Sequence, residues 1–322
     1  MSANPAGARQ PAHSEHAVRC EGLVKRYDDV VAVAGLDLAV HRGECFGLLG
    51  PNGAGKTTTI EILEGLLRPD EGTVEVLGMS WDHDETALRQ RLGVQLQETH
   101  LSDKLTVAET IRLFRSFYPD GGTVEEMLEL VQLSEKRDAR VKALSGGQRQ
   151  RLAVACGLVG RPDLFFLDEP TTGLDPQSRR ALWALVEEYR AGGRTVVLTT
   201  HYMEEAERLC DRVAIVDRGR VIALGPPHEL IAELGGAHMV EFSLPPETVL
   251  AELRMLEALP GVTGAMRRGE RIVLSVSAVH LAVPALLREL ERQALPLTDL
   301  TTHHATLEDV FVSLTGRVLR DE

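Results

Sequence analysis

Gly50-Pro51-Asn52-Gly53-Ala54-Gly55-Lys56-Thr57-Thr58 is the stretch that decides the fold of this 322-residue chain. It matches GxxxxGK[ST] at every fixed position. Three glycines let the backbone curl so that its N–H groups point inward at phosphate oxygens. Lys56 adds a point charge for the β- and γ-phosphates, and the Thr57 hydroxyl is the natural Mg²⁺ ligand. The flanks agree. Glu44 to Leu49 is short and mostly apolar, as a buried strand would be. Thr57 to Leu67 carries apolar residues at helical spacing before the turn Asp70-Glu71-Gly72. Strand, loop and helix in this order aim a helix N-terminus at an anion, so the segment implies nucleoside triphosphate binding.

The second half of the chain narrows the class. Leu164-Phe165-Phe166-Leu167-Asp168-Glu169 reads as a buried parallel strand ending in two carboxylates, and ligands sit at such strand ends in open α/β sheets. Asp168 is suited to hold Mg²⁺ through water, and Glu169 to polarise the water that attacks the γ-phosphate. Leu144-Ser145-Gly146-Gly147-Gln148 is the more specific signal. Ser145 reads as the N-cap of a helix that continues through Ala155, and the paired glycines leave bare N–H groups for a second anion contact. Read alone, each of these segments is ordinary: a strand ending in solvated acids, or a capped helix.

Together, Lys56, Leu144 to Gln148 and Asp168-Glu169 resemble the ATP-binding subunit of ABC transporters. The resemblance runs from about residue 17 to residue 230. It implies a P-loop NTPase core of α/β class with a β-subdomain and a helical subdomain. Smaller matches follow in the family's order. Tyr27 looks like the aromatic that stacks on adenine, and Gln97 like the glutamine that contacts Mg²⁺ and faces the membrane partner. Gln95 lies in the same loop; Gln97 is chosen because it directly precedes the acidic residue Glu98. Asp175 in Gly173-Leu174-Asp175 resembles the loop that joins two subunits, and His201 the switch histidine that reads the γ-phosphate. In isolation Tyr27 would pass for a surface aromatic and His201 for a structural histidine. Their order around two strong motifs carries the assignment.

The family resemblance further implies that one chain's phosphate loop and Ser145–Gly147 segment cannot close on the same ATP. A head-to-tail homodimer would place each ATP between Lys56 of one subunit and Ser145 and Gly147 of the other. Catalytic roles then fall to Glu169, His201, Gln97 and Lys56. Nucleotide contacts fall to Tyr27, the loop Gly50 to Thr58, Ser145, Gly146, Gly147, Gln148 and Asp175. Mg²⁺ falls to Thr57, Gln97 and Asp168.

Composition bounds the rest. Hydrophobic content of 43% and charged content of 26% fit a globular protein, and a formal net charge of −13 argues against a nucleic-acid binder. No stretch approaches the roughly 18–20 apolar residues that span a bilayer. Residues 1–16, rich in Ala, Pro, His and Ser, are expected to be a disordered tail rather than a secretory signal. Cys20, Cys45, Cys156 and Cys210 are scattered without metal-ligand spacing and read as reduced core residues. These features predict a cytoplasmic chain, peripheral on the inner face of the membrane, whose passage through the bilayer belongs to another polypeptide. His303-His304 and Asp82-His83-Asp84 are read as polar loop residues rather than metal ligands.

The nucleotide-binding domain is expected over residues 17–234 and a small α+β domain over residues 235–322. Helical patterns between Thr106 and Arg140 correspond to the family's helical lobe, and residues 98–118 are the candidate docking surface for the membrane partner. Past Gly235-Gly236, strands are expected at 240–244 and 272–276, a helix at 282–293 and a hairpin turn at 267–270. Thr306 opens a capped helix. The closing run Leu307 to Gly316 resembles the tail of daunorubicin-resistance-type ABC-2 exporter ATPases, which favours export through a separate ABC-2-type transmembrane permease. Rival readings are an ABC-type ATPase outside transport, an ATP-sensing module without turnover, an importer subunit, and an energising subunit for lipid, polysaccharide or ion transport.

Overall fold

The computed structural model describes residues 15–96, 100–245 and 253–316. Gln97 and Glu98, and all of the expected tail before residue 15, lie outside the described residues. The chain opens with β1 (His16–Tyr27), β2 (Val30–His41) and β3 (Cys45–Leu49), followed by α1 (Lys56–Leu63), β4 (Glu71–Val76), α2 (Trp81–Arg91) and β5 (Leu92–Gln95). Next come α3 (Val107–Arg115), α4 (Val124–Leu130), α5 (Gly146–Leu158), β6 (Leu164–Asp168), α6 (Pro176–Ala191), β7 (Thr195–Thr200) and α7 (Met203–Leu209). After β8 (Arg212–Asp217), β9 (Arg220–Gly225) and α8 (Pro227–Ala232), the chain builds β10 (His238–Ser243), α9 (Arg254–Glu257), β11 (Val262–Arg268) and β12 (Arg271–Val276). It closes with α10 (Val279–Arg292), β13 (Asp299–His304) and α11 (Leu307–Thr315).

Strand β3 lies at the heart of a six-stranded sheet ordered β5-β6-β7-β3-β8-β9, parallel except for β9. Strands β3, β6 and β7 are buried along their whole length, which is why apolar residues point to both faces of each. Their side chains alternate between two cores. Cys45, Leu49, Phe165 and Leu167 pack with α3 to α7 on one face. Phe46, Leu48, Leu164 and Phe166 pack against α1 and the antiparallel sheet β2-β1-β4 on the other. Adjacency of β6, β7 and β3 brings three strand ends together: the phosphate loop after β3, Asp168-Glu169 at β6 and His201 after β7.

The helix after the phosphate loop stops at Leu63, short of the expected Leu67. Gly65, at φ +74°, turns the chain, and its open face is filled by the Trp81 ring.

Strands β10 to β13 form an antiparallel sheet ordered β11-β12-β10-β13, with α10 packed on one face through Ala282, Leu286 and Leu290. His303 and His304 lie on the edge strand β13 rather than in a loop. Thr301 and Thr302 hide its alternation, and only pairing with β10 reveals it. His83 likewise falls on α2, which Ser80 caps. Helix α11 leaves this sheet and returns to the core beneath the six-stranded sheet. Leu307, Val310 and Phe311 are buried there, with Met203, Ala206, Leu209 and Leu230 in the same cluster. Among the described residues no helix is long and apolar enough to cross a membrane, and all four cysteines are buried as free thiols.

Candidate active site

The phosphate loop is held by contacts that only glycine permits at two positions. Gly55 sits at φ +101°, where a Cβ would lie 2.2 Å from the Ala32 carbonyl oxygen. Gly50, at φ +152°, would bring a Cβ to 2.2 Å from the Val216 carbonyl oxygen. Gly55 also takes the N-cap place of α1 without offering a side-chain acceptor, so the first N–H groups of the helix stay available to an anion. Lys56 Nζ donates to the carbonyls of Gly50 (2.9 Å) and Pro51 (3.2 Å).

Glu169 stands opposite. Its Oε1 lies 3.5 Å from Lys56 Nζ, and its Oε2 lies 3.2 Å from His201 Nδ1. The Thr172 hydroxyl donates to Oε2 at 3.2 Å. Glu169 adopts φ +44°, unusual for a residue with a Cβ, and its N–H is fixed by Thr199 Oγ1 at 3.0 Å. The Thr199 hydroxyl in turn donates to Asp168. Burial pushes the Asp168 carboxyl above its ordinary range, with Glu169 adding repulsion and Thr199 opposing it. Burial lowers Lys56, which its attraction to Glu169 and Asp168 partly offsets. Both shifts describe charges short of compensation in a desolvated place.

These groups edge a cavity of about 750 Å³. Its lining includes Tyr27, Asn52, Gly53, Gly55, Lys56, Thr57, Thr58, Glu169 and His201 from the sequence-predicted set. Gly50, Pro51 and Ala54 complete the loop behind it. Five lining residues escaped sequence reasoning: Val30, Val31 and Ala32 on β2, Thr172 below Glu169, and Tyr202 after His201. Tyr27 is half exposed, with Lys25 Nζ 5.7 Å from its ring centre. Gln97 lies outside the described residues. Gln95 is buried, with its Oε1 lacking a hydrogen-bond partner.

Ser145, Gly146, Gly147, Gln148 and Asp175 do not line this cavity. They form a second cluster at the N-termini of α5 and α6. Ser145 and Gln148 make a reciprocal capping box, with Oγ accepting from Gln148 N at 3.3 Å and Gln148 Oε1 from Ser145 N at 3.0 Å. Asp175 caps α6 by accepting from the N–H groups of Gln177 and Ser178, both at 3.0 Å. The hydrogen bond from the Ser178 hydroxyl holds the Asp175 carboxyl below its usual range. A Cβ on Gly147 would lie 2.3 Å from Ser178 Oγ, so the two helix ends meet only because residue 147 is glycine.

His303 does gather carboxylates: one ligand atom each from Glu241, His303 and Asp309 lies within 4.8 Å of the others. Arg268 fills that place, 3.2 Å from Glu241 and 3.8 Å from Asp309, and Arg271 lies 3.2 Å from Glu241. Two guanidinium groups balance the carboxylates there, which makes an ion-pair cluster rather than a cation site.

A loop of this geometry, with a lysine and paired carboxylates across the cavity, defines a P-loop nucleotide hydrolase. The family described as ABC transporter matches residues 33–172. Nod factor export ATP-binding protein I of Ralstonia nicotianae is 44% identical over 306 residues, covering 94% of each chain. A daunorubicin resistance ATP-binding protein of Streptomyces coeruleorubidus is 39% identical, covering 94% of this chain and 97% of its own. Among solved structures, an ATP-binding subunit of an ABC transporter aligns with TM-score 0.62 and 29% identity over 68% of this chain and 93% of its own. A dimeric ATP-binding cassette in a post-hydrolysis state, bound to ADP and Pi, aligns with TM-score 0.59 and 26% identity over 65% of this chain and 98% of its own. The chain belongs to the ATP-binding subunits of ABC transporters. It is an ATPase.

Proposed function

We propose that this ATPase works as a head-to-tail homodimer that drives export through a separate ABC-2-type permease. The observation that carries the dimer is the separation of the two clusters. One chain offers Lys56, Glu169 and His201 at the cavity and Ser145 to Gln148 and Asp175 elsewhere, so a complete site needs the second cluster of a partner copy. Both clusters are intact on one chain, which suits two working sites.

In this reading the inward N–H groups of the loop and Lys56 bind the β- and γ-phosphates, and Tyr27 stacks on adenine. Glu169 accepts a proton from the attacking water, and His201, beside its Oε2, orients the γ-phosphate. Thr57, Asp168 and Gln97 would hold Mg²⁺. Oxygen donors suit that ion, and the Asp168 carboxyl, raised by burial, has charge that a cation would offset. Bound there, Mg²⁺ would neutralise charge on the phosphate oxygens. Ser145 and Gly147 of the partner copy close the far side.

Export rather than import is favoured by two relatives whose names specify export or resistance and whose alignments each cover 94% of this chain, more than residues 17–234 alone supply. Residues 235–322 are assigned a dimer-stabilising or regulatory role, and residues 17–234 the nucleotide chemistry. The chain would sit at the cytoplasmic face of the membrane. Its cargo, a drug, antibiotic or similar hydrophobic molecule, would be chosen by the permease.

The test is an affinity pull-down of the tagged chain from detergent-solubilised host membranes with ATP present, read by mass spectrometry. A stoichiometric polytopic membrane protein is the expected result. Ribosomes or nucleic acid, or a chain recovered without a membrane partner, would contradict the export reading.

A further inference from the structure

Glu205 lies on α7, four residues past His201, fully buried and away from the nucleotide cavity. A carboxyl in such a place costs several kcal/mol unless it is hydrogen-bonded or neutral, roughly 2–7 kcal/mol even for an uncharged polar group. Its Oε1 accepts a 2.9 Å hydrogen bond from the Trp183 indole N–H on α6, the helix that Asp175 caps. The hydroxyls of Thr200 and Thr171 also face this carboxyl closely enough to favour its charged form, and Arg179 adds a weaker attraction. Burial outweighs all of these and pushes the carboxyl toward its protonated state. Glu205 Oε2 and Thr171 Oγ1 are both sealed from solvent, and neither makes a hydrogen bond of regular geometry. A proton on Oε2, donated to a threonine oxygen, would satisfy them together.

The three partners sit on the three segments that shape the active site. Thr200 immediately precedes His201, and its Oγ1 accepts the Tyr202 N–H at 2.9 Å, which closes the turn around that histidine. Thr171 is buried two residues after Glu169. Trp183 is buried on α6, two turns past Asp175. One side chain therefore meets the His201 turn, the segment after Glu169 and the Asp175 helix from within the core.

We propose that Glu205 is a positioning residue for ATP hydrolysis, tying the His201 turn to the Glu169 segment and to the helix that Asp175 caps. The proposal rests on the assignment of His201 and Glu169 given above. Glu205 touches no nucleotide in this scheme. It acts by keeping His201 Nδ1 beside Glu169 Oε2 while the surrounding segments move.

Phosphate release, binding of a fluorescent ATP analogue and thermal melting of the full chain test this with Glu205→Ala, Glu205→Gln, Thr200→Val and His201→Ala. Loss of the carboxyl should lower kcat about tenfold or more, because small misplacements at a reacting centre are costly. KM for ATP should stay within about twofold, since no ground-state contact is removed. Glu205→Gln keeps an acceptor and a donor in the same volume and should restore kcat to within about threefold. Thr200→Val, which deletes the link to Tyr202, should fall with Glu205→Ala. Wild-type kcat in Glu205→Ala beside an inactive His201→Ala would overturn the positioning role alone. So would equal impairment of the Ala and Gln variants, or a loss confined to KM. Should Glu205→Ala fail to fold, wild-type kcat in Thr200→Val overturns it instead. Full activity in His201→Ala would sink the active-site assignment and this inference with it.

Discussion

Lys56 Nζ and Glu169 Oε1 stand 3.5 Å apart, both nearly sealed from solvent. In this pairing the two side chains offset each other's charge. Under the proposed mechanism, a γ-phosphate entering the loop would compete for Lys56 and leave Glu169 to the water and to His201. Glu169→Gln should therefore lower steady-state phosphate release by about 10²–10⁴-fold with ATP affinity retained or raised. Lys56→Ala should instead lose affinity. Malachite-green turnover and equilibrium nucleotide titration separate the two, and a Glu169→Gln variant with normal turnover would refute the assignment.

Glu64 follows α1 and is buried with neither carboxylate oxygen hydrogen-bonded. Burial, with repulsion from Asp168 and Glu61, pushes it from an ordinary 4.5 up to about 8. The folded chain thus holds this proton more tightly than the unfolded chain does. Its contribution is best below the unfolded value and declines as pH rises from about 4.5 to about 8, by at most about 1.4 kcal/mol per pH unit. Glu64→Gln should remove the decline. Urea melts of nucleotide-free protein should match wild type at the acid end of that window and show a more stable variant at the alkaline end.

Glu207 Oε1 accepts the N–H of Leu307 at 2.7 Å, so a side chain of α7 caps the start of α11. The contact joins the C-terminal helix to the element that begins just after His201. Glu207→Ala should cost about 1–2 kcal/mol by leaving that N–H without its acceptor. Phe311→Ala, at a fully buried site, should cost about 3–5 kcal/mol. Chemical denaturation measures both, and limited proteolysis should cut first beside α11 in each variant.

Leu113 and Phe117 are exposed on and just past α3, within the surface assigned to the membrane partner. Their apolar area is available for burial by a docking helix. Leu113→Asp and Phe117→Asp should leave phosphate release by the isolated chain within about twofold, as neither lines the cavity. Both should reduce recovery of the permease in the pull-down. Undiminished recovery would move the docking surface elsewhere.

The phosphate loop, Asp168-Glu169 and the Ser145 cap were legible in sequence because each is a local pattern whose chemistry needs those residues in consecutive order. Strands β3, β6 and β7 were legible too as short, buried, mostly apolar runs, though not which side chains met which core. What sequence could not show depends on pairing across the chain. Val30 and Val31 reach the cavity because β2 pairs with β1 beside Tyr27. The edge strand β13 needed β10 to become visible, since threonine and histidine alternate poorly. The Thr306 capping box predicted α11, but only tertiary packing sends its apolar face to α7 and α8. Glu205 gave no sign in sequence, because a glutamate on a short polar helix reads as solvated until the core closes over it.

The mass of the Glu169→Gln chain in solution, with and without ATP, tests the central claim most directly. Light scattering should show the 35.2 kDa chain alone and a doubling of that mass when ATP is added. Ser145→Arg, which blocks the partner-facing cap, should abolish the doubling. A chain that binds ATP and stays at monomer mass would contradict the shared-site account.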